Sequence, residues 1–197
     1  AEIKHICPAS DLFVLTDSNE WIVSGGSTVT PSKCTNKAQT FRGCTEVEPI
    51  SIGSRLIYVQ KRSQTVRDMA YSFETDSYDG MDLTLLAKHL LRGKTIVDAA
   101  YMQDPDSRLY FVRSDGEIIC LAYINDQKVY AWSHIITKGK YLSVCTVAAE
   151  ETDEVYTAVE RNGKTYIEKM GTDKDSQDPK DYIMTDCSKV LTFDEPD

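Results

Sequence analysis

The chain has 197 residues, 41% of them hydrophobic and 27% charged, which suits a globular protein with one substantial core or a part of a larger one. No run approaches the ~18 apolar residues of a membrane-spanning helix, so no membrane span is expected. The net charge of −9 lies mostly in residues 150–197, which hold 14 acidic and 6 basic side chains, and the lack of a basic stripe argues against nucleic-acid binding.

The first part of the chain contains one pair of predicted strands between two poorly patterned stretches. Residues 1–10 predict an extended lead-in. Asp11–Leu15 and Glu20–Val23 are apolar runs on either side of a polar turn, and they predict two paired strands. Trp21, in the second of these strands, is expected to pack in the core or between sheets. Residues 28–43 are polar and lack a period, so they predict a connection that runs over the surface.

A second pair of strands is predicted further along the chain. Ser54–Val59 and Thr65–Tyr71 are rich in β-branched and aromatic residues, and the short run Pro49–Ile52 predicts a neighbouring strand before them. The acidic stretch Phe73–Gly80 reads as a turn. It lacks the closing glutamate of a calcium loop, so no calcium site is predicted there.

The pattern changes to a helical period between residues 82 and 92. Apolar residues recur at the spacing of one helix face, and Asp82 and Gly93 suit the two ends of a helix. The stripe consists of Leu83, Leu86, Ala87, Leu90 and Leu91. This helical insertion is expected to pack against a neighbouring sheet, with a contact to another subunit as the alternative. His89 lies off the stripe and is expected to be solvated.

The central stretch, Ile96–Thr137, predicts four consecutive strands with a turn after each of the first three. Pro presets φ in the first turn, and the Asp115-Gly116 pair suits a hairpin because glycine accepts positive φ. The predicted strands are Ile96–Tyr101, Arg108–Arg113, Glu117–Ile124 and Val129–Ile136. An antiparallel meander of this size matches one blade of a β-propeller.

The same signature, an apolar strand followed by a polar turn and a second strand, recurs at similar intervals. Aligning Leu12, Leu56, Leu109 and Val155 gives spacings of 44, 53 and 46 residues. Periods of roughly 40–50 residues are typical of propeller blades. The sequence therefore predicts an all-β, β-propeller-like array of four-stranded antiparallel blades with one short helical insertion. A plain β-sandwich is the alternative.

The predicted domain spans residues 1–197, with the helical insertion at 82–92 and an acidic C-terminal segment at 172–197. Four partial blades are fewer than most closed propellers have, so the ring is expected to be completed outside this chain, as part of a longer protein. The acidic segment is interpreted as a solvated tail.

Residues with reactive side chains form no recognisable site in the sequence. The six cysteines include no Cys-x-x-Cys pair, and reduced thiols are favoured over the alternative of a bridge between Cys34 and Cys44. His5, His89 and His134 are widely dispersed, and no nucleophile elbow or zinc-protease motif occurs. No catalytic, cofactor-binding or metal-binding residue is predicted, and no cofactor is expected.

The run Val66–His134 resembles a segment of bacteriophage tail proteins of the tail-nozzle or tail-tubular type. Its motifs stand here as Tyr71-Ser72-Phe73-Glu74, Asp82-Leu83-Thr84, Val97-Asp98, Gln103 with Pro105-Asp106-Ser107, Arg113 with Asp115-Gly116, and Trp132 with His134. The resemblance implies a non-enzymatic virion protein at the distal tail of a short-tailed phage. It also implies homo-oligomerisation in a ring with other tail subunits, around a channel through which DNA passes without sequence-specific binding.

Two alternatives remain from the residues themselves. One is a propeller-type binding module for a host glycan or protein. The other is a glycan hydrolase of the tail, which is disfavoured because residues 114–116 lack the spacing and the tryptophan of a sialidase-type turn. The acidic residues also lie mainly in turns, whereas most glycosidases need two carboxylates flanking the bond.

Overall fold

A computed structural model describes residues 1–8, 11–25 and 29–171 of the chain. The predicted acidic segment 172–197 lies outside the described residues. The strands are β1 (Ile3–Pro8), β2 (Leu12–Thr16), β3 (Glu20–Ser24), β4 (Thr35–Thr40), β5 (Ile50–Ile52), β6 (Arg55–Val59), β7 (Val66–Ser72), β8 (Ser77–Asp82), β9 (Ile96–Met102), β10 (Arg108–Arg113), β11 (Ile118–Ile124), β12 (Val129–Ile135), β13 (Lys140–Ala148), β14 (Asp153–Arg161) and β15 (Lys164–Lys169). One short helix, α1 (Lys88–Leu91), and a 3₁₀ turn (Asn125–Gln127) accompany them.

The described residues form four antiparallel sheets in chain order and almost no helix. The first three sheets are meanders of four strands, β1 to β4, β5 to β8 and β9 to β12, and the fourth contains β13 to β15. The prediction of an all-β chain is confirmed. In the central meander, β10 has the predicted bounds, and the other three strands differ by one residue. The four aligned positions of the predicted repeat all lie in the second strand of their sheets.

The sheets pack face to face in the order of the chain. One buried cluster joins the first sheet to the second and includes Phe13, Leu15 and Met69. A larger cluster, which includes Ile57 and Phe111, joins the second sheet to the third. A third cluster joins the third sheet to the fourth. The two middle sheets are therefore covered on both faces.

Strand β10 shows how the sequence supports burial on both sides. Successive side chains of a strand point to opposite faces. Leu109 and Phe111 belong to the cluster with the second sheet, while Tyr110 and Val112 belong to the cluster with the fourth. All four are buried, which explains why this strand is a continuous apolar run and does not alternate with polar residues.

Three strands lie in stretches that the sequence assigned to a lead-in, a surface connection or a turn. Strand β1 occupies the predicted lead-in of residues 1–10, β4 lies inside the predicted surface connection, and β8 lies partly inside the predicted acidic turn. All three strands are at the edge of their sheets and are largely polar or exposed, so they carry little of the apolar pattern by which a strand is recognised.

The predicted helix over residues 82–92 is wrong in its length, because only α1 is helical. Leu83 N donates to Val66 O, which keeps Leu83 beside the second sheet. Ala87 N then donates to Thr84 O, a turn bond over three residues rather than an α-helical one. As a result Leu86 points outward and is 93% exposed. Gly93 does end the helix with a positive φ of 70°, as predicted.

Candidate functional site

A groove lies between the 83–92 segment and the edge strand β12. Its volume is about 300 Å³, at the small end of the range for ligand sites. The residues that line it are Leu86, Ala87, His89, Leu90, Tyr130, Trp132, Ser133 and His134.

One wall of the groove is a row of ring side chains on β12. Tyr130, Trp132 and His134 alternate along the strand and therefore share one face. Trp132 packs on Phe111 with ring centroids 5.7 Å apart, and its Nε1 donates to Leu83 O at 2.9 Å. Because Tyr130 Oη also donates to a neighbouring side chain, Asn125 Oδ1, the two aromatic rings are fixed in place. They offer the groove mainly their apolar surfaces.

The opposite wall comes from the turns and helix that follow β8. Leu91 is buried in the core and anchors α1, while Ala87 is buried at the base of the groove. Leu85 and Leu86 are 60% and 93% exposed. The groove therefore combines a rigid aromatic wall with a wall that presents the exposed Leu86 and the half-buried Leu90.

An ion-pair network supports the end of the groove at His134. Arg113 is buried, and its Nη1 donates to Leu90 O at 2.8 Å, which ties the end of α1 to β10. Its guanidinium also pairs with Asp115 and with Glu117 Oε2, the latter at 2.7 Å. Glu117 Oε2 lies 2.6 Å from His134 Nε2. The network thus connects the helix, the β10–β11 hairpin and β12.

The charges of this network are strongly coupled. The Arg113 guanidinium, together with Lys94 at 3.1 Å, holds the pKa of Asp115 well below its usual value. The same contact with Asp115 raises the pKa of Arg113. Both groups therefore stay charged at neutral pH, and their ion pair is a fixed support for the β10–β11 hairpin.

A second polar contact joins the second and third sheets inside the core. Asp68 on β7 is 1% exposed, and Arg55 Nε donates to its two carboxylate oxygens at 2.8 and 2.9 Å. Tyr123 Oη on β11 donates to Asp68 Oδ2 at 2.8 Å across the sheet interface. Burial, followed by this hydrogen bond, raises the pKa of Tyr123, so its hydroxyl remains a donor at neutral pH.

The first sheet meets the second around another buried carboxylate. Glu20 is fully buried, and its Oε2 accepts hydrogen bonds from Thr40 Oγ1 and from Arg42 N. Glu20 Oε1 and Tyr58 Oη have no hydrogen-bond partner among the described residues. Burial raises the pKa of Tyr58, which excludes a tyrosinate there at neutral pH.

The two outer faces of the stack are not covered by any described residue and carry apolar side chains. On the first sheet this face contains Ile6, Leu12, Val14, Trp21 and Val23, as the strand register shows. On the fourth sheet the apolar residues Val147, Tyr156, Ala158 and Ile167 share this face with Ser143, Glu154, Glu160, Thr165 and Lys169. Ile6 is 59% and Ile167 73% exposed. Trp21, predicted to pack in the core or between sheets, is half-buried on the first of these faces.

Of the three histidines that are far apart in the sequence, two lie together in the structure and one lies apart. His89 and His134 both line the groove, and His89 is exposed as predicted. His5 lies elsewhere, with its Nε2 3.0 Å from Thr45 O. The described cysteines, including Cys34 and Cys44, are free thiols.

Within residues 1–8, 11–25 and 29–171, no group of three or more His, Cys, Asp or Glu side chains could hold a metal ion. Among the same residues, none of the helices has the length and apolar character to cross a membrane. No protein-family model matches the chain, and no curated protein matches its sequence.

Proposed function

We propose that the chain is a non-enzymatic structural module of a phage virion. It would form part of the distal tail nozzle or tail tube of a short-tailed bacteriophage, in an oligomeric ring around the channel through which DNA leaves. The sequence resemblance over Val66–His134 supports this proposal. Its partners would be other tail subunits, including further copies of the protein.

In this proposal the four sheets are consecutive blades of a propeller-like ring. Face-to-face stacking in chain order supports it, because blades of a propeller pack in this way. The first strands of the third and fourth sheets also lie side by side, as Val144 N on β13 donates to Asp98 Oδ2 on β9 at 2.9 Å. First strands of neighbouring blades meet around the axis of a propeller, so this contact fits the arrangement.

The observation that carries the assembly role is the set of apolar side chains on the two outer faces of the stack, which is most continuous on the first sheet. Equivalent faces inside the stack are buried by the next sheet, and exposed apolar patches of this kind mark interaction surfaces. Further sheets, from a longer chain or from another subunit, would cover them and extend the ring.

Immunolabelling of virions tests the location. Antibodies raised against the chain would label the distal tip of the tail in virions of the phage that encodes it, and mass spectrometry of the purified virions would detect its peptides. The proposal would be overturned if the peptides were absent from the virions or the label lay on the capsid. Antibodies preabsorbed with the chain provide the control.

The second candidate function is a binding module for a host glycan. The groove favours it, because Tyr130 and Trp132 expose ring surfaces beside the polar edges of His89 and His134. None of the lining residues carries a carboxylate, so the groove lacks the pair that glycoside hydrolysis uses. Titration with host lipopolysaccharide, followed by Trp132 fluorescence in a Trp21→Phe background, would detect such binding. A flat titration would remove this candidate.

A further inference from the structure

We propose that strand β12 is a subunit interface, in which the free edge of β12 pairs antiparallel with β12 of a second copy of this chain. The inference names a partner surface for the proposed assembly function and therefore rests on it. In the pair, the third sheets of the two copies would join into one continuous sheet of eight strands.

The first observation is that no described residue pairs with the outer edge of β12. Strand β12 is the last strand of its sheet and pairs with β11 over seven consecutive residues without a register shift. Within the described residues, none of its backbone groups hydrogen-bonds to a segment other than β11. Val129, Ala131, Ser133 and His134 are exposed. A regular edge of this length is a template for adding another strand.

The second observation is that β12 lacks every feature by which proteins protect such edges. Its sequence, residues 129–135, contains no Lys, Arg, Asp, Glu, Pro or Gly. The other edge strands longer than three residues that the structure describes all contain at least one of these residues, and β1, β4, β9 and β13 also have register shifts. Charges, prolines and bulges are the usual means of preventing edge pairing. Among the described edge strands longer than three residues, only β12 lacks all of them, which indicates an edge that pairs with another strand.

The third observation is that the strand is complementary to itself. A two-fold axis through Trp132 would place Trp132 opposite Trp132 of the second copy, and Tyr130 opposite its His134. Ala131 would face Ser133, and Val129 would face Ile135. Every pair matches in size or in aromatic character, and no like charges meet. A two-fold axis makes the pair antiparallel and closes the assembly as a dimer.

The pairing would also enlarge the apolar surface of the groove. The row of three rings on β12 would continue onto the second strand, and would extend the apolar floor beneath Leu86. Leu86 is 93% exposed in the single chain, so covering it removes a large apolar side chain from water. One strand pair buries less surface than a standard interface, so the contact is weak for isolated chains.

A charge-swap experiment on Ala131 and Ser133 tests the pairing. Both side chains are exposed on the face of β12 that is opposite the ring row, so they can be changed without disturbing the core. The variant Ala131→Lys/Ser133→Lys places like charges opposite each other in both pairs of the dimer. The matched variant Ala131→Lys/Ser133→Glu places opposite charges in both pairs. Because it changes the same two positions, any effect of the substitutions on the monomer is similar in the two variants.

Sedimentation would be measured from ~10 µM to ~1 mM, the range in which weak contacts become populated. We expect the native chain to dimerise, the Lys/Lys variant to dimerise at least ten-fold more weakly, and the Lys/Glu variant to recover most of the native affinity. Recovery distinguishes edge pairing from a folding defect. The β12 amides should also exchange more slowly with solvent as the concentration of the native chain rises.

The remaining outcomes overturn the inference in different ways. If the native chain assembles and the Lys/Lys variant has the same mass, assembly uses other faces, and the proposed function stands without the β12 interface. A native chain that is monomeric throughout excludes a second copy as the partner. Protection of the β12 amides only after another protein is added would show that this other protein supplies the strand.

Discussion

The buried contact between Asp68, Arg55 and Tyr123 yields the sharpest stability prediction, because it joins two sheets through one carboxylate. Replacing Asp68 with alanine removes three hydrogen bonds and leaves the Arg55 guanidinium and the Tyr123 hydroxyl without their partner. Asp68→Ala should therefore lower the free energy of unfolding much more than the loss of the side-chain volume alone would.

The magnitude follows from the exposure of the two charged groups. Removing one partner of a buried ion pair costs about 3–5 kcal/mol. The Asp68 side chain is fully buried, but that of Arg55 is 26% exposed, so water can solvate part of the uncompensated guanidinium. We therefore expect a loss near the lower limit, about 3 kcal/mol, for Asp68→Ala. Tyr123→Phe removes a single hydrogen bond to a charged group and should cost about 1.5–2 kcal/mol.

Urea unfolding followed by circular dichroism measures both values. The double variant should lose about 1–2 kcal/mol less than the sum of the single losses, because the two side chains share one hydrogen bond. Tyr58→Phe is the matched control, since Tyr58 is equally buried but its hydroxyl lacks a partner among the described residues, and it should change stability by less than about 1 kcal/mol. A loss below about 1 kcal/mol for Asp68→Ala would refute the role assigned to this contact.

Three further predictions concern the third sheet and its neighbours. Arg113→Met keeps the apolar part of the side chain but loses the bonds to Leu90 O, Asp115 and Glu117. It should lower the free energy of unfolding by about 2 kcal/mol, measured by urea unfolding. An unchanged urea midpoint would contradict the network. The depressed pKa of Asp115 means that its contribution to stability is complete above about pH 5 and declines as the pH falls from the ordinary aspartate pKa toward the depressed one. Asp115→Asn should therefore destabilise most at about pH 7 and clearly less at about pH 2, and an equal loss at both would exclude this linkage. Gly116→Ala would place a Cβ 2.7 Å from Lys140 Cβ at a φ of 87°, and it should lower the free energy of unfolding by about 2–3 kcal/mol. Gly163→Ala, where nothing lies within 4 Å, is the control and should lower it by about 1 kcal/mol. Equal shifts in the thermal midpoint would contradict the close approach at Gly116.

The strands that the sequence predicted well are those buried on two faces. Strand β10 was bounded correctly because it is apolar throughout and is followed by an Asp-Gly turn. Gly116 was predicted from the conformation of that turn alone. Its close approach to Lys140 depends on how the fourth sheet packs on the third, which no local pattern contains.

The edge strands show why local patterns were insufficient elsewhere. Strand β4 is mostly polar, and it is a strand because β3 offers it hydrogen-bonding partners. The predicted helix over residues 82–92 was wrong for a different reason. Its apolar spacing was helical, and Asp82 Oδ1 accepts hydrogen bonds from N and Oγ1 of Thr84 as a helix cap would. Leu83 N, however, donates to Val66 O on the second sheet, and Ala87 N donates to Thr84 O in a turn. Pairing with the sheet therefore overrode the periodicity.

The groove could be predicted only in part. The alternation of Tyr130, Trp132 and His134 on a predicted strand places three rings on one face, and this was visible in the sequence. The other wall lies about 45 residues earlier in the chain. It was predicted as a regular helix whose apolar stripe faced inward, so the exposure of Leu86 could not have been foreseen.

Burial across the four sheets provides the strongest physical argument for a larger assembly. Strands β6 and β10, in the second and third sheets, are buried on both faces. Strand β14, in the fourth sheet, buries only the alternate residues Val155, Thr157 and Val159, while its other face remains partly exposed. A sheet exposed to water is expected to have a polar outer face. The outer face of the fourth sheet follows this rule in part, since Glu154, Glu160 and Lys169 lie beside Val147 and Ile167. The outer face of the first sheet instead carries Leu12, Val14, Trp21 and Val23, which is the composition of a face that another sheet covers.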